Sequence, residues 1–102
     1  MEDLGRFADP SVLILTSLAG GPKHGYALIK DIEDLTGTAL GPGTLYAALA
    51  RLESRKLIRA LPEDDRRRPY EITADGAASL RAYLEQARRV VGAGLKRLTA
   101  YA

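Results

Sequence analysis

A mainly α-helical chain with one small β-hairpin is the fold class this sequence predicts, and three observations carry the prediction. Apolar residues recur at helical spacing in four separate stretches, the period drops to two only between residues 57 and 73, and glycine or proline marks most junctions. The 102 residues amount to one domain, large enough for a modest core and marginal in size without a partner.

Asp9 and Pro10 read as the cap and first turn of a helix in which Val12, Leu13, Ile14, Leu15 and Leu18 leave few polar positions. It is expected to be buried on most sides. Gly20, Gly21 and Pro22 end it, with glycine supplying a left-handed cap and proline refusing to continue. A second helix starts at His24 or Gly25, turns Leu28, Ile29, Ile32 and Leu35 inward, and closes at Gly37. Residues 38–41 then form a tight connection into a third helix. Two helices in series across a short glycine-containing turn are a helix-turn-helix.

The third helix, GPGTLYAALARLESRKLI over residues 41–58, carries the most information. Leu45, Leu49 and Leu52 recur at four and three residues and mark one buried face. The other side holds Gly43, Ala47, Ala50 and Ser54, so it has almost no bulk, while Thr44, Tyr46, Arg51 and Arg55 stand on its flanks. A backbone this thin can approach another surface closely. A DNA major groove admits one α-helix, and hydroxyls and guanidinium groups beside a slim face reach base edges and phosphates together. The same pattern also suits a plain surface helix whose alanines favour helicity. Arg51 is placed to read guanine, or else to pair with Glu53 in water. Tyr46, beside the leucine stripe, is expected at the edge of the core with its hydroxyl outward.

Leu57, Ile58 and Leu61, and then Tyr70 and Ile72 alternating with Glu71 and Thr73, predict the two arms of the hairpin. Its tip, PEDDRRRP, presents Arg66, Arg67 and Arg68 where a wing would meet a minor groove or phosphates; taken alone, such a run also reads as a solvated loop. Thr73 caps the last helix, with Gly76 tolerated in its first turn. From there Ala77, Leu80, Leu84, Ala87, Val91, Gly94 and Leu98 repeat at three and four residues, with Leu95 alongside. A helix over residues 74–99 would be roughly 39 Å long, more than a small core covers. Leu80, Leu84, Ala87, Val91, Leu95 and Leu98 are therefore the expected dimerisation residues, the partner being a second copy. Gly92 and Gly94 oppose this at about 1 kcal/mol each. The implied organisation is a winged helix-turn-helix DNA-binding domain over residues 1–73 and a dimerisation helix over residues 74–102.

The net charge of +2 is unevenly spread. Residues 1–36 hold three basic and six acidic side chains, residues 37–70 seven and four, and the remainder five and three. The positive field thus coincides with the third helix and the hairpin, as nucleic-acid binding requires. Zero cysteines exclude a disulfide framework and thiolate metal sites. The acidic opening MEDLGRFADP predicts no secretory signal, and residues 12–15, the longest apolar run, cannot span a bilayer. A cytoplasmic protein, nucleoid-associated when bound to DNA, is expected, with no cofactor and no membrane contact.

HGYALIKDIEDLTG, then GPGTLYAALARLESRKLI, then RRRPYEITADG, in this order and spacing, resemble the PadR family of bacterial winged-helix transcriptional regulators. The match runs from about Pro10 to Leu98, and the PGTLY run followed by L..RLE...LI is its specific part. The length and single C-terminal helix look like the family's short subfamily. The resemblance implies a winged helix-turn-helix with a C-terminal dimerisation helix, binding palindromic, inverted-repeat operators on double-stranded DNA as a homodimer. It also implies a repressor released by a small hydrophobic effector. It makes Thr44 and Tyr46 DNA contacts, Tyr26 of the HGY run a phosphate or core contact, and Arg67 and Arg68 backbone or minor-groove contacts. Gly43, Ala47, Arg51 and Arg66 complete the candidate DNA-binding set. Two departures stand out: Gly41 replaces the serine that often precedes PGTLY, removing a capping oxygen, and the chain has no tryptophan. The aromatic-walled effector slot of some multidrug-sensing relatives is therefore not implied.

Other residue types weigh less. A lone histidine, His24, makes neither a metal site nor a catalytic triad. Glu63, Asp64 and Asp65 either hold a hard cation or are simply solvated. Phe7, Tyr83 and Tyr101 line a ligand pocket or fill a dimer core. No nucleophile, base and orienting group can be assembled into an enzyme site. A winged-helix protein-interaction module is the competing reading, since the fold also serves without nucleic acid.

Overall fold

In the computed structural model, which describes residues 9–101, Asp9 caps α1 (Pro10–Ala19) by accepting from the backbone N–H groups of Ser11 and Val12. Ile14, Leu15 and Leu18 are buried, and the helix touches every layer of the fold. Phe7 lies outside the described residues. The cap at the far end, Gly20, stays right-handed at φ −84°, and the positive φ, 132°, falls on Gly21. Glycine does end the helix, but not through a left-handed cap.

A short strand follows that no alternation in the sequence revealed. β1 (Lys23–His24) pairs antiparallel with β3 (Pro69–Ile72), matching Lys23 with Tyr70 and His24 with Pro69. β3 also pairs with β2 (Ile58–Ala60), so the expected hairpin is the larger part of a three-stranded sheet in the order β1-β3-β2. Two residues are too few to show a period.

His24 accepts from the Ala27 N–H to cap α2 (Gly25–Thr36), which Gly37 closes in the left-handed region at φ 73°. Leu28 and Ile32 enter the core. Leu35 does not: it is 57% exposed, against expectation, because periodicity marks a face and not the length over which neighbours cover it. A small polar cluster fixes α1, α2 and β1 to one another. Buried Ser17 donates to Asp31 Oδ2 at 2.5 Å, and Lys23 Nζ donates to the Ser17 carbonyl.

α3 (Pro42–Ser54) buries Leu45, Ala48, Leu49 and Leu52 beneath α1 and α2. Removing a side chain such as Leu49 from this layer costs about 2–5 kcal/mol. Lys56, at φ 62°, turns the chain out of the helix and into β2. Thr73 then joins the sheet to α4 (Ala74–Tyr101): its hydroxyl accepts from the Gly76 N–H at 3.0 Å and donates to the Lys56 carbonyl at 2.8 Å. Gly76 is required rather than tolerated. A Cβ there would stand 2.0 Å from the Leu57 carbonyl oxygen.

Leu80 is the last residue of α4 to enter the core. Ala77, expected on the apolar stripe, is exposed. Beyond Leu80 the helix projects into solvent, giving the chain extents of 54 × 29 × 20 Å. Among the described residues, no helix is long and apolar enough to cross a membrane.

Candidate nucleic-acid interface

Burial of the leucine stripe decides which side of α3 is left open. Gly43, Thr44, Ala47, Ala50, Arg51 and Ser54 are all exposed, and among the described residues Arg51 makes no ion pair. The helix presents backbone, methyl groups and hydroxyls with a guanidinium to one side. Gly41 at its N-cap offers no side chain, so the first turn lacks a capping hydrogen bond. The missing oxygen inferred from the sequence is thus missing in the structure.

Tyr46 stands at the edge of this face, 55% exposed, with its ring end laid over the start of α2. Glycine makes room for this approach: a Cβ at Gly25 would meet the Tyr46 hydroxyl at 2.6 Å and the ring would have to swing aside. One residue on, Tyr26 is 66% exposed and makes no part of the core, which removes one of its two expected roles. Tyr70, half-buried on β3, has its pKa raised above 10.0 by burial first, then by the charge of Glu53 and by Tyr46, with Arg68 pulling the other way. Tyr46 thus joins α3 to the start of α2, and its charge acts on Tyr70 of the sheet.

The wing tip is a two-residue turn. Asp64 and Arg67 exchange backbone hydrogen bonds of 2.8 and 2.9 Å, while Asp65 and Arg66 between them take φ values of 50° and 64°. Such a turn suits a twisted hairpin, and Asn-Gly is its preferred filling. The three arginines part company there. Arg68 donates to the Leu61 carbonyl at 3.1 Å and lies 4.0 Å from Glu63. Arg67 Nη1 approaches His24 Nε2 at 3.3 Å. Arg66 has no side-chain partner among the described residues. Glu63, Asp64 and Asp65 do not converge: among the described residues no three or more His, Cys, Asp or Glu side chains cluster as metal ligands would.

His24 is the residue that sequence reasoning set aside. Its spacing gave no signal, because it meets Arg67, 43 positions away, only in the fold. On α4, Leu84, Val91, Leu95 and Leu98 are exposed on the arc that also carries Leu80 and Ala87. A hollow of about 530 Å³ along Tyr83, Ala87, Val90 and Val91 is lined by this helix alone. It becomes a cavity only when something covers it.

A helix pair whose second helix leaves one face uncovered, followed by a small antiparallel sheet with an arginine-bearing turn, defines a winged helix-turn-helix module of the transcription-regulator class. The family model described as the transcriptional regulator PadR-like family matches residues 14–82, and the chain belongs to that family. It is a family of regulators, not of enzymes. A crystal structure of a PadR family transcription regulator from Clostridium difficile R20291 superposes with a TM-score of 0.79 at 26% identity, covering 87% of this chain and 97% of that one. An uncharacterized 37.1 kDa protein in transposon TN4556 of Streptomyces fradiae is 45% identical over 85% of this chain and 25% of its own length. The transcriptional regulator YqjI of Escherichia coli K12 is 34% identical over 83% of this chain and 46% of its own. The chain thus spans a quarter to about half of the curated relatives it matches.

Proposed function

We propose that the chain is a sequence-specific DNA-binding transcription regulator that works as a homodimer on a palindromic operator. The observation that carries this reading is the open side of α3: a long, bare, hydroxyl-edged face with a neighbouring guanidinium, on a helix whose other side is fully packed. Gly43, Thr44, Ala47 and Arg51 enter the major groove. Tyr26 and Tyr46 contact phosphates, and Arg66, Arg67 and Arg68 reach the adjacent backbone or minor groove.

Residues 1–73 supply the DNA-binding unit and residues 74–102 the dimerisation helix, whose first two turns are seated against α1. Pairing through Leu80, Leu84, Ala87, Val91, Leu95 and Leu98 would bury the exposed arc of α4 and set two α3 helices about 34–36 Å apart. The hollow beside Tyr83 and Val90 then lies near the pairing surface, where a small hydrophobic effector would fit. Occupation of the operator by such a dimer represses transcription, and the effector releases it. The protein works in the cytoplasm, associated with the nucleoid when bound.

Selection of bound duplexes from a random library with purified protein tests this reading. An enriched inverted repeat supports both the DNA activity and the dimer; enrichment of nothing above background removes both.

A further inference from the structure

We infer that His24 and Arg67 together form a clamp for one phosphate of the DNA backbone, holding the wing against the start of α2. The inference rests on the DNA-binding reading above and adds a residue to it. The Ala27 N–H donates to His24 Nδ1, so a neutral imidazole carries its proton on Nε2. Facing that Nε2, at 3.3 Å, is Nη1 of Arg67, which can only donate. A neutral ring has one acceptor nitrogen and can accept from Ala27 or from Arg67 but not from both; with the cap kept, Nε2–H and Arg67 Nη1 are two donors that lack an acceptor. An oxygen of unit negative charge placed there would accept from both, and charge-assisted bonds of this kind are the stronger class.

The surroundings favour a duplex phosphate as the occupant. His24 is paired to Pro69 at the base of the wing, which sets the spacing between the ring and Arg67. The next residue is Gly25, over which the Tyr46 hydroxyl lies, and then exposed Tyr26. The clamp thus sits between the groove helix and the wing, and its wing side belongs to residues 37–70, the stretch with the larger excess of basic over acidic side chains. A backbone passing from α3 to the wing crosses it.

The capping role and the clamping role of His24 separate cleanly. Serine and asparagine both cap helices well but offer no donor where Nε2 stands. His24→Ser and His24→Asn should therefore melt at or above the wild-type temperature and bind a mixed-sequence duplex roughly tenfold more weakly. Arg67→Ala should weaken binding and reduce the salt slope by about 1. Combined with His24→Ser, it should lose less than the product of the two single losses. Long-range nitrogen correlation spectra of the imidazole should show the Nε2–H form in the free protein, with that proton moving downfield when the duplex is added. Inorganic phosphate at matched ionic strength should leave the ring signals in place, because no adjacent contacts deliver a free ion.

An Nδ1–H ring, wild-type affinity in both capping variants, or equal displacement of the signals by free phosphate would each overturn the clamp. If the unaltered protein binds the duplex and is indifferent to His24, only the clamp falls. If the unaltered protein binds no duplex, the regulator reading falls first and the clamp with it.

Discussion

Tyr46 and Thr44 show how a single side chain's function follows from what its neighbours bury. Leu45 and Leu49 hold α3 in the core, and Thr44 and Tyr46 are left on the open edge. Replacing both with alanine should abolish operator binding in a gel-shift assay while leaving the thermal melt within about 1 kcal/mol of wild type, as for surface changes elsewhere. Tyr70 offers a different test. Its folded pKa lies above the free value of 10.0, so the neutral phenol is favoured by folding; the associated stability is complete below 10.0 and lost as pH climbs through the raised value. Stability measured in urea should therefore fall more steeply at alkaline pH for wild type than for Tyr70→Phe. Equal slopes would show that neither burial nor the charges of Glu53 and Tyr46 act on this group in the folded protein. Much at this scale was legible, since Leu45, Leu49 and Leu52 announce their burial by spacing alone. Gly25 and His24 were not, because each makes its contact with a residue distant in the chain, Tyr46 for one and Arg67 for the other.

Elements were readable where they were long and periodic. α1, α3 and α4 follow their apolar repeats, and the caps at Asp9, Gly37 and Thr73 fall where the sequence placed them. β1 escaped notice because its pairing depends on β3, and Leu35 was assigned to the core because α2 keeps its period after its neighbours have ended. The wing tip carries an internal conflict of its own. Asp65 and Arg66 occupy left-handed positions that asparagine and glycine fill more easily. The double change Asp65→Asn, Arg66→Gly should slow amide exchange in β2 and β3, a gain of about 1 kcal/mol, and yet weaken DNA binding through the lost charge. A wing that exchanges faster after the change would contradict the turn assignment. The junction at Gly76 is stricter. Alanine there drives a methyl into the Leu57 carbonyl, and the cost should be about 3 kcal/mol, read as a fall in melting temperature of roughly 4–8 °C per kcal/mol.

At the scale of the whole molecule the chain is too elongated for its size. Its radius of gyration is 15.5 Å, where a compact domain of this length has about 13 Å. The excess comes from α4, whose outer turns expose Leu95 at 63% and Leu98 at 65%. Sedimentation should accordingly report about twice the chain mass of 11.0 kDa, and a monomer at micromolar concentration would refute the pairing. Gly94, on the apolar arc, and Gly92, off it on the flank beyond Leu95, distinguish helix stiffness from close packing. Nothing lies within 4 Å of a Cβ at either position in the single chain. Gly92→Ala should stabilise by about 1 kcal/mol without touching assembly, whereas Gly94→Ala should shift the dimer equilibrium if the two helices meet closely there.

The bare outer turns of α4 have one more consequence, and it concerns mass action. If a second copy covers those turns, the protein has no single melting temperature; the midpoint should climb with total protein and sink on dilution. The cell's copy number would then set how much of the regulator is paired and competent, so scarcity alone could silence it.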